Sequence, residues 1–206
     1  MTPGKLWRWV ESPVRVLDIG AGTGVFARSV LAAHPECKVV MVEANPNCEE
    51  SLAEVGAPYD LVALSDREGR ADLHVELSNP VATGASLYRE NTPWYADGRC
   101  HSFSVPTATL DSRGYFPGER IDLVKMDVQG SELDIIRGGP ETMARAGWAL
   151  VEVSLVEYNR GAPLMEEVVE HMLSLGFRIA DVVGYHRFPH LYGGACFQLD
   201  VLFGRQ

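Results

Sequence analysis

The chain has 206 residues, 46% hydrophobic and 22% charged, proportions that exclude wholesale disorder and suit one domain over residues 1–206. Its 18 Lys and Arg against 28 Asp and Glu give a formal net charge of −10 with no basic run, which argues against a nucleic-acid partner because such binding rests on neutralising phosphates. Residues 1–13 lack the apolar core of a secretory signal and no stretch approaches the roughly 18 apolar residues of a bilayer span, so the sequence reads as cytoplasmic and without a membrane partner.

In chain order, residues 14–19 are rich in β-branched side chains and end at a glycine cluster, which predicts a strand. Residues 24–33 follow as a helix with Val25, Phe26, Val30 and Leu31 on one stripe, stopped by Pro35. Residues 38–42 predict a second strand, apolar as a strand covered on both faces is. A helix is predicted over 46–55 and a third strand over 59–64. Residues 71–77 alternate like a half-buried strand, and 79–101 are polar and interrupted by Pro80, Gly84 and Pro93. Regularity returns with a strand over 121–126, a helix over 131–137, a strand over 149–153 and a helix over 163–175 closed by Gly176. A final strand pair covers 177–183 and 197–203.

Strands alternating with helices imply a parallel sheet. The late strand–strand succession adds one antiparallel edge strand, so the expected fold is α/β, doubly wound and mostly parallel. Cys37, Cys48, Cys100 and Cys196 show neither close pairs nor high density, and no zinc ribbon or disulfide framework is expected. The sequence leaves room for a homo-oligomer without deciding it.

The most informative segment is Val16-Leu17-Asp18-Ile19-Gly20-Ala21-Gly22-Thr23-Gly24. A buried strand running into three glycines and then a helix lets the backbone turn sharply and approach a ligand, and the helix N-terminus offers unpaired N–H groups. Glycines at such a corner also serve the turn alone. The G-x-G-x-G spacing puts Val25 where the dinucleotide fingerprint has its last glycine. Asp18, inside the apolar strand, is unwelcome beside a pyrophosphate but suits a ligand with an ammonium group, or a loop organised by an acceptor. Both features favour S-adenosylmethionine over NAD. Glu43, followed by Ala44, ends the second strand about 20 residues on, where an acid accepts hydrogen bonds from ribose hydroxyls. Alone, Glu43 reads equally as a capping or surface carboxylate. Together with the loop it marks an adenosine-cofactor site, with Asp18, Gly20, Gly22, Gly24, Glu43 and Ala44 as candidate contacts.

These segments resemble motifs I and II of the class I S-adenosylmethionine-dependent methyltransferases. A more specific stretch, Asp122-Leu123-Val124-Lys125-Met126-Asp127-Val128-Gln129-Gly130-Ser131-Glu132-Leu133, continued by Arg137-Gly138-Gly139, is similar to the signature of the FkbM family of these enzymes. Val105-Pro106-Thr107-Ala108-Thr109-Leu110-Asp111, Ala63-Leu64-Ser65-Asp66 and Val151-Glu152-Val153 resemble FkbM segments as well, so the resemblance covers nearly the whole chain. It implies a Rossmann-like, mostly parallel seven-stranded sheet with an antiparallel edge strand. It also implies S-adenosylmethionine as cofactor, Ser65 and Asp66 near its adenine, and a small-molecule acceptor methylated on a hydroxyl, a sugar or natural-product intermediate. The family usually has Glu where this chain has Gln129, and an amide neither acts as a carboxylate base nor ligates a metal strongly.

Methyl transfer to a hydroxyl needs an in-line geometry and a proton acceptor, and open α/β sheets place such groups beyond the carboxyl ends of their strands. Asp127 ends the strand over 121–126, Glu132 lies one turn into the next helix, and Glu152 reaches the same rim from the neighbouring strand. Asp127 or Glu132 as general base or positioning group is the leading expectation, helix capping and pairing with Lys125 or Arg137 the second, a divalent cation the third. Gln129 counts against the cation, and no metal ligand is assigned.

Lys125, alternating with apolar neighbours, needs an acid as partner and is expected, with Glu152, to support the reaction centre. His101, His186 and His190 are candidate bases but read first as loop histidines. Residues 78–104 are expected to form a lid or substrate segment, and residues 83–88 within it resemble a Ser-rich FkbM stretch. Tyr88, Trp94, Tyr95 and Tyr185 are candidate aromatic walls or simple anchors. An NAD(P)-dependent oxidoreductase and a cofactor-binding module without turnover stand as alternatives.

Overall fold

The computed structural model describes residues 3–81, 84–96, 98–188 and 192–205. Its elements in chain order are α1 (Pro3–Leu6), β1 (Arg15–Ile19), α2 (Val25–Ala33), β2 (Lys38–Glu43), α3 (Glu49–Ala53), β3 (Tyr59–Leu61), β4 (Ala63–Ser65), β5 (Gly69–Glu76), β6 (Cys100–Thr109), α4 (Leu110–Arg113), β7 (Ile121–Met126), α5 (Glu132–Arg137), α6 (Pro140–Arg145), β8 (Ala146–Ser154), α7 (Met165–Ser174), β9 (Phe177–Arg187) and β10 (Cys196–Arg205). Among the described residues, the main sheet has seven strands in the order β3-β2-β1-β7-β8-β10-β9.

Strand β1 pairs in parallel with β2 and β7, and the β2–β3 and β7–β8 pairs are also parallel. Antiparallel pairing is confined to one end of the sheet, where β10 runs against both β8 and β9. The reversed strand thus lies one place inside the edge rather than at it. Successive residues of the central strands face opposite sides. Val16 and Leu123 join an apolar cluster with Leu6, Ala27 and Val30, whereas Leu17, Ile19, Val124 and Met126 join another with Ile135, Ile136, Met172 and Phe177. Burial on both faces explains why these strands are mostly apolar, each full-sized side chain contributing about 1.5–3 kcal/mol.

The single strand expected over 59–64 is two. The chain leaves the main sheet after Leu61, and β4 enters a three-stranded sheet of order β4-β6-β5. Strand β6 was not predicted: Pro106 within it speaks against a strand with neighbours on both sides, yet β6 pairs with β5 from Gly69 to Glu76. No helix among the described residues is long and apolar enough to cross a membrane.

From β1 the chain winds outward through β2 to β3, and from β7 it winds the other way to β8. The carboxyl ends of β1 and β7 therefore flank the switch point where open α/β sheets bind ligands. Gly20 presses there against the loop after β7. Its φ is +73°, and a Cβ on it would lie 1.8 Å from the Asp127 carbonyl oxygen, so another residue would push the two loops apart.

Candidate functional site

At the switch point lies a cavity of about 300 Å³, lined by the loop from Gly20 to Thr23, by Glu43 and Ala44 at the tip of β2, and by Lys125 and Asp127 of the β7 tip. Phe26, Val62, Leu64, Leu73 and Leu87 give it apolar walls. Glu43 is 7% exposed, and its two oxygens accept the Gly22 N–H at 2.7 Å and the Asn45 N–H at 2.8 Å. Burial pushes this carboxyl above its ordinary range and the two N–H bonds oppose the shift. A carboxylate accepts about four hydrogen bonds, so Glu43 clamps the glycine loop and keeps capacity for the cavity. Ser131, which sequence reasoning missed, also lines the cavity; it is 2% exposed and its hydroxyl has no hydrogen-bond partner among the described residues. In the sequence it is a serine at the expected start of a helix, which reads as an ordinary cap, and only the structure shows that its side chain makes no cap bond.

Asp18 stands behind the wall rather than in it. It is fully buried and absent from the cavity lining, and it faces its register partner Lys125 across β1 and β7. The Lys125 Nζ lies 3.2 Å from Asp18 Oδ1 and 3.5 Å from Asp127 Oδ2, and donates to the Gly20 carbonyl at 2.8 Å. Burial works to lower this ammonium's pKa, but the charges of Asp18 and Asp127 raise it above its ordinary value. Asp18, expected as a cofactor contact, thus reaches the cavity wall through Lys125 and the glycine loop. Gly24 turns the chain below the cavity, against Val55. Ser65 and Asp66 are also outside the lining: at this level the wall is Val62, Ala63 and Leu64, and the Ser65 hydroxyl donates to Asp66 Oδ1 at 3.3 Å.

The loop after β7 assigns Glu132 a different place from the one expected at the reaction centre. Its Oε1 accepts the Val128 N–H and its Oε2 the Gly130 N–H, each at 2.9 Å, and it lines neither this cavity nor the next. Burial pushes its carboxyl up to about 7. Between those two N–H groups Gln129 adopts φ +60°, the left-handed region that side chains rarely occupy. It is fastened on both sides. Its carbonyl accepts from the Ser86 hydroxyl at 2.7 Å, and its side-chain amide donates to Asp127 Oδ1 at 3.2 Å and to Glu152 Oε2 at 2.5 Å.

A second cavity, of about 470 Å³, opens on the other side of Asp127. Glu76, Gly84, Glu90 and Tyr95 come to it from the segment between β5 and β6 and its approaches, Gln129 and Glu152 from the tips of β7 and β8, Tyr158 from the loop beyond, and His186, Phe188, Phe197 and Gln198 from β9, β10 and their link. The irregular segment is stitched down: His74 and Ser86 exchange backbone hydrogen bonds, the Asn91 N–H donates to the Tyr158 carbonyl, and Asn159 Nδ2 to the Tyr88 carbonyl. Ala85, Ser86 and Leu87 thereby wall the first cavity while Glu90 and Tyr95 wall the second.

His186 is not a loop histidine. It lies on β9 with its Nε2 3.3 Å from Asp200 Oδ1 and 3.5 Å from Glu152 Oε1, and the hydrogen bond to Asp200 raises its pKa. Glu152 is driven well above the carboxylate range by burial and by the charges of Asp127, Glu132 and Asp200. Ligand atoms of Glu152, His186 and Asp200 lie within 4.8 Å of one another, a different set from the acids the sequence suggested for a cation. Of the expected aromatic walls Tyr95 lines a cavity; Tyr88 donates its hydroxyl to Asp134 and Tyr185 is 68% exposed on the surface. His101 is exposed on β6, and Thr83, His190 and the side chain of Trp94 lie outside what is described.

The family model described as a methyltransferase FkbM domain matches residues 18–179. The 2-O-methyltransferase NoeI of Sinorhizobium fredii is 33% identical, over 71% of this chain and 65% of its own length, slightly less than two thirds of that protein. The methyltransferase sdnD of Sordaria araneosa is 26% identical, over 80% of this chain and 73% of its own. Among solved structures, TrmK of M. capricolum in complex with S-adenosylhomocysteine superposes with a TM-score of 0.56 at 7% identity, covering 98% of this chain and 67% of that one, which establishes a shared fold.

Proposed function

Because the chain belongs to the FkbM family of S-adenosylmethionine-dependent methyltransferases, we propose that it transfers a methyl group from that cofactor, held in the first cavity, to a hydroxyl oxygen of a small molecule seated in the second. Family membership removes the oxidoreductase alternative. One observation carries the proposal: among the described residues, Asp127 alone lines both cavities. An oxygen as acceptor atom is supported by the name of the relative NoeI, a 2-O-methyltransferase.

The residues of the first cavity fit the cofactor. Glu43 has acceptor capacity left for ribose hydroxyls, the buried Ser131 hydroxyl lacks a partner among the described residues, and Phe26, Val62 and Leu64 offer apolar faces to a planar base. When bound, S-adenosylmethionine supplies an electrophilic methyl on a sulfonium. Asp127 faces the junction with its orientation set from both ends, Oδ1 held by Gln129 and Oδ2 by Lys125. It accepts the proton of the acceptor hydroxyl as the oxygen–carbon bond forms, and Lys125 balances its charge until then. Ser86, bonded to the Gln129 carbonyl, keeps the segment over the junction closed against water.

The test is Asp127→Asn. S-adenosylhomocysteine affinity is expected to stay within about threefold of wild type while kcat falls by roughly 100-fold or more. Turnover close to wild type would remove Asp127 from the chemistry, and bound cofactor without transfer to any hydroxyl compound by the wild-type protein would favour the non-catalytic module.

A further inference from the structure

Acidic groups outnumber basic ones in the lining of the second cavity. Glu76, Glu90, Asp127 and Glu152 contribute four carboxyl groups to its walls, and none of the described lining residues is Lys or Arg. Lys125 serves Asp127 from the first cavity, and His186 sits between Glu152 and Asp200. The remaining wall is aromatic. Phe188 and Phe197 stack at 4.7 Å with 15° between their planes, Tyr158 lies 4.8 Å from Phe197, and Tyr95 closes the side near Gly84. The carboxylates are held in position: the Thr92 hydroxyl donates to the buried Glu90, and the amides of Gln129 and Gln198 converge on Glu152 Oε2.

We infer that the acceptor carries a protonated amine in addition to its hydroxyl, and that the cavity rejects acceptors bearing phosphate or carboxylate. This rests on the reading that the second cavity takes the acceptor. Acids buried and gathered in a semi-enclosed space resist ionising together, as Glu90 and Glu152 do, and an incoming cation relieves that repulsion and favours their charged form. Aromatic faces attract an organic ammonium for the same electrostatic reason. An anion would give up its water there and find, among the described residues, only His186 as a basic group, itself already placed between Glu152 and Asp200, which acts as a barrier against the wrong substrate. A bare metal ion is the lesser fit, because Glu152 Oε2 is already occupied by two amide donors and the rings offer a hard cation nothing.

The experiment titrates wild-type protein saturated with S-adenosylhomocysteine, at constant ionic strength, with glucosamine hydrochloride, glucose and sodium glucuronate. The NMR signals of the Tyr158, Phe188 and Phe197 rings report on the cavity. Glucosamine is expected to shift them saturably, with a Kd at least about tenfold below that of glucose, while glucuronate leaves them in place. Glu90→Gln is expected to remove most of that preference; should the variant not fold, the wild-type titration decides alone. The inference is overturned if glucose or glucuronate matches glucosamine, if none of the three moves the ring signals, or if Mg²⁺ saturates them at lower concentration than glucosamine. Methyl transfer to the same sugars is read in parallel. Equal turnover regardless of charge would defeat the ammonium inference and leave the transfer reading standing, whereas selective glucosamine binding with no methylation of any hydroxyl compound would do the reverse.

Discussion

Asp18 and Lys125 are register partners on the two central strands, and their 3.2 Å ion pair is sealed from solvent, with neither side chain more than 5% exposed. A buried pair of this kind adds little net stability, but removing one member leaves a charge in the core with nothing to balance it, at a cost of about 3–5 kcal/mol. The pair also draws Lys125 onto the Gly20 carbonyl and beside Asp127, so the core contact sets the geometry of the junction between the cavities.

Lys125→Met is therefore expected to lower Tm by roughly 6–20 °C. Adding Asp18→Asn should recover a large part of that loss, since the stranded carboxylate is what costs. Thermal unfolding of the two single variants and the double variant closes the cycle. A double variant no more stable than Lys125→Met alone would show that the Asp18 pairing is not what stabilises the strand tips.

Ser131→Ala separates stability from binding. The buried hydroxyl has no partner among the described residues, so its removal should leave the ligand-free protein as stable as wild type or about 1 kcal/mol more so. Cofactor affinity should weaken by about fivefold to tenfold, the worth of one hydrogen bond to the ligand. Calorimetric titration with S-adenosylhomocysteine beside an unfolding curve reads both; unchanged affinity would place the hydroxyl outside the contacts.

Gln129→Glu restores the acid usual in the family, and here it should destabilise. The amide donates to both Asp127 and Glu152, and replacing it with a third carboxylate removes both donors and adds a like charge. The new group would be hard to ionise, so the penalty is largest at alkaline pH and shrinks as protons become available. Tm is expected to fall by about 5–10 °C near pH 8 and to approach wild type near pH 5. A loss independent of pH would point to backbone strain at the left-handed residue instead.

Glu132 predicts a pH dependence of its own. Its folded pKa of about 7 stands above the ordinary 4.5, so the native state holds a proton that the unfolded chain releases between those values. Stability from this group is then full below about pH 4.5 and is lost as pH rises through about 7, an interval worth about 3 kcal/mol. Glu132→Gln, neutral at every pH, lacks that decline and should gain on wild type by up to about 3 kcal/mol between about pH 5 and pH 8 in urea unfolding. A constant gap between the two would mean that the carboxylate stays ionised in the loop, satisfied by its two N–H donors.

What the sequence by itself determined is what short windows can hold. The glycine cluster after β1, the acid at the end of β2 and the apolar runs of β1, β2 and β7 are local patterns that were sufficient for the main sheet and the cofactor class, and the contiguous stretch 122–139 was sufficient for the family. Strand β6 escaped because Pro106 interrupts its signal, and the kink at Val62 because nothing in 59–64 marks a change of sheet. Tertiary structure alone decided the division of labour among the acids. Asp127, Glu132 and Glu152 look alike along the chain, but Glu132 turns back onto two backbone N–H groups, Glu152 is held by two amides in the wall of the second cavity, and Asp127 is left between the cavities. The second cavity was equally out of reach. Glu90, Tyr158, His186 and Phe197 come from four separate stretches of chain, and their convergence depends on how the segment after β5 is stitched to the loop after β8. Local propensity governs a residue's own backbone, whereas a side chain's partner and exposure depend on which distant elements pack against it.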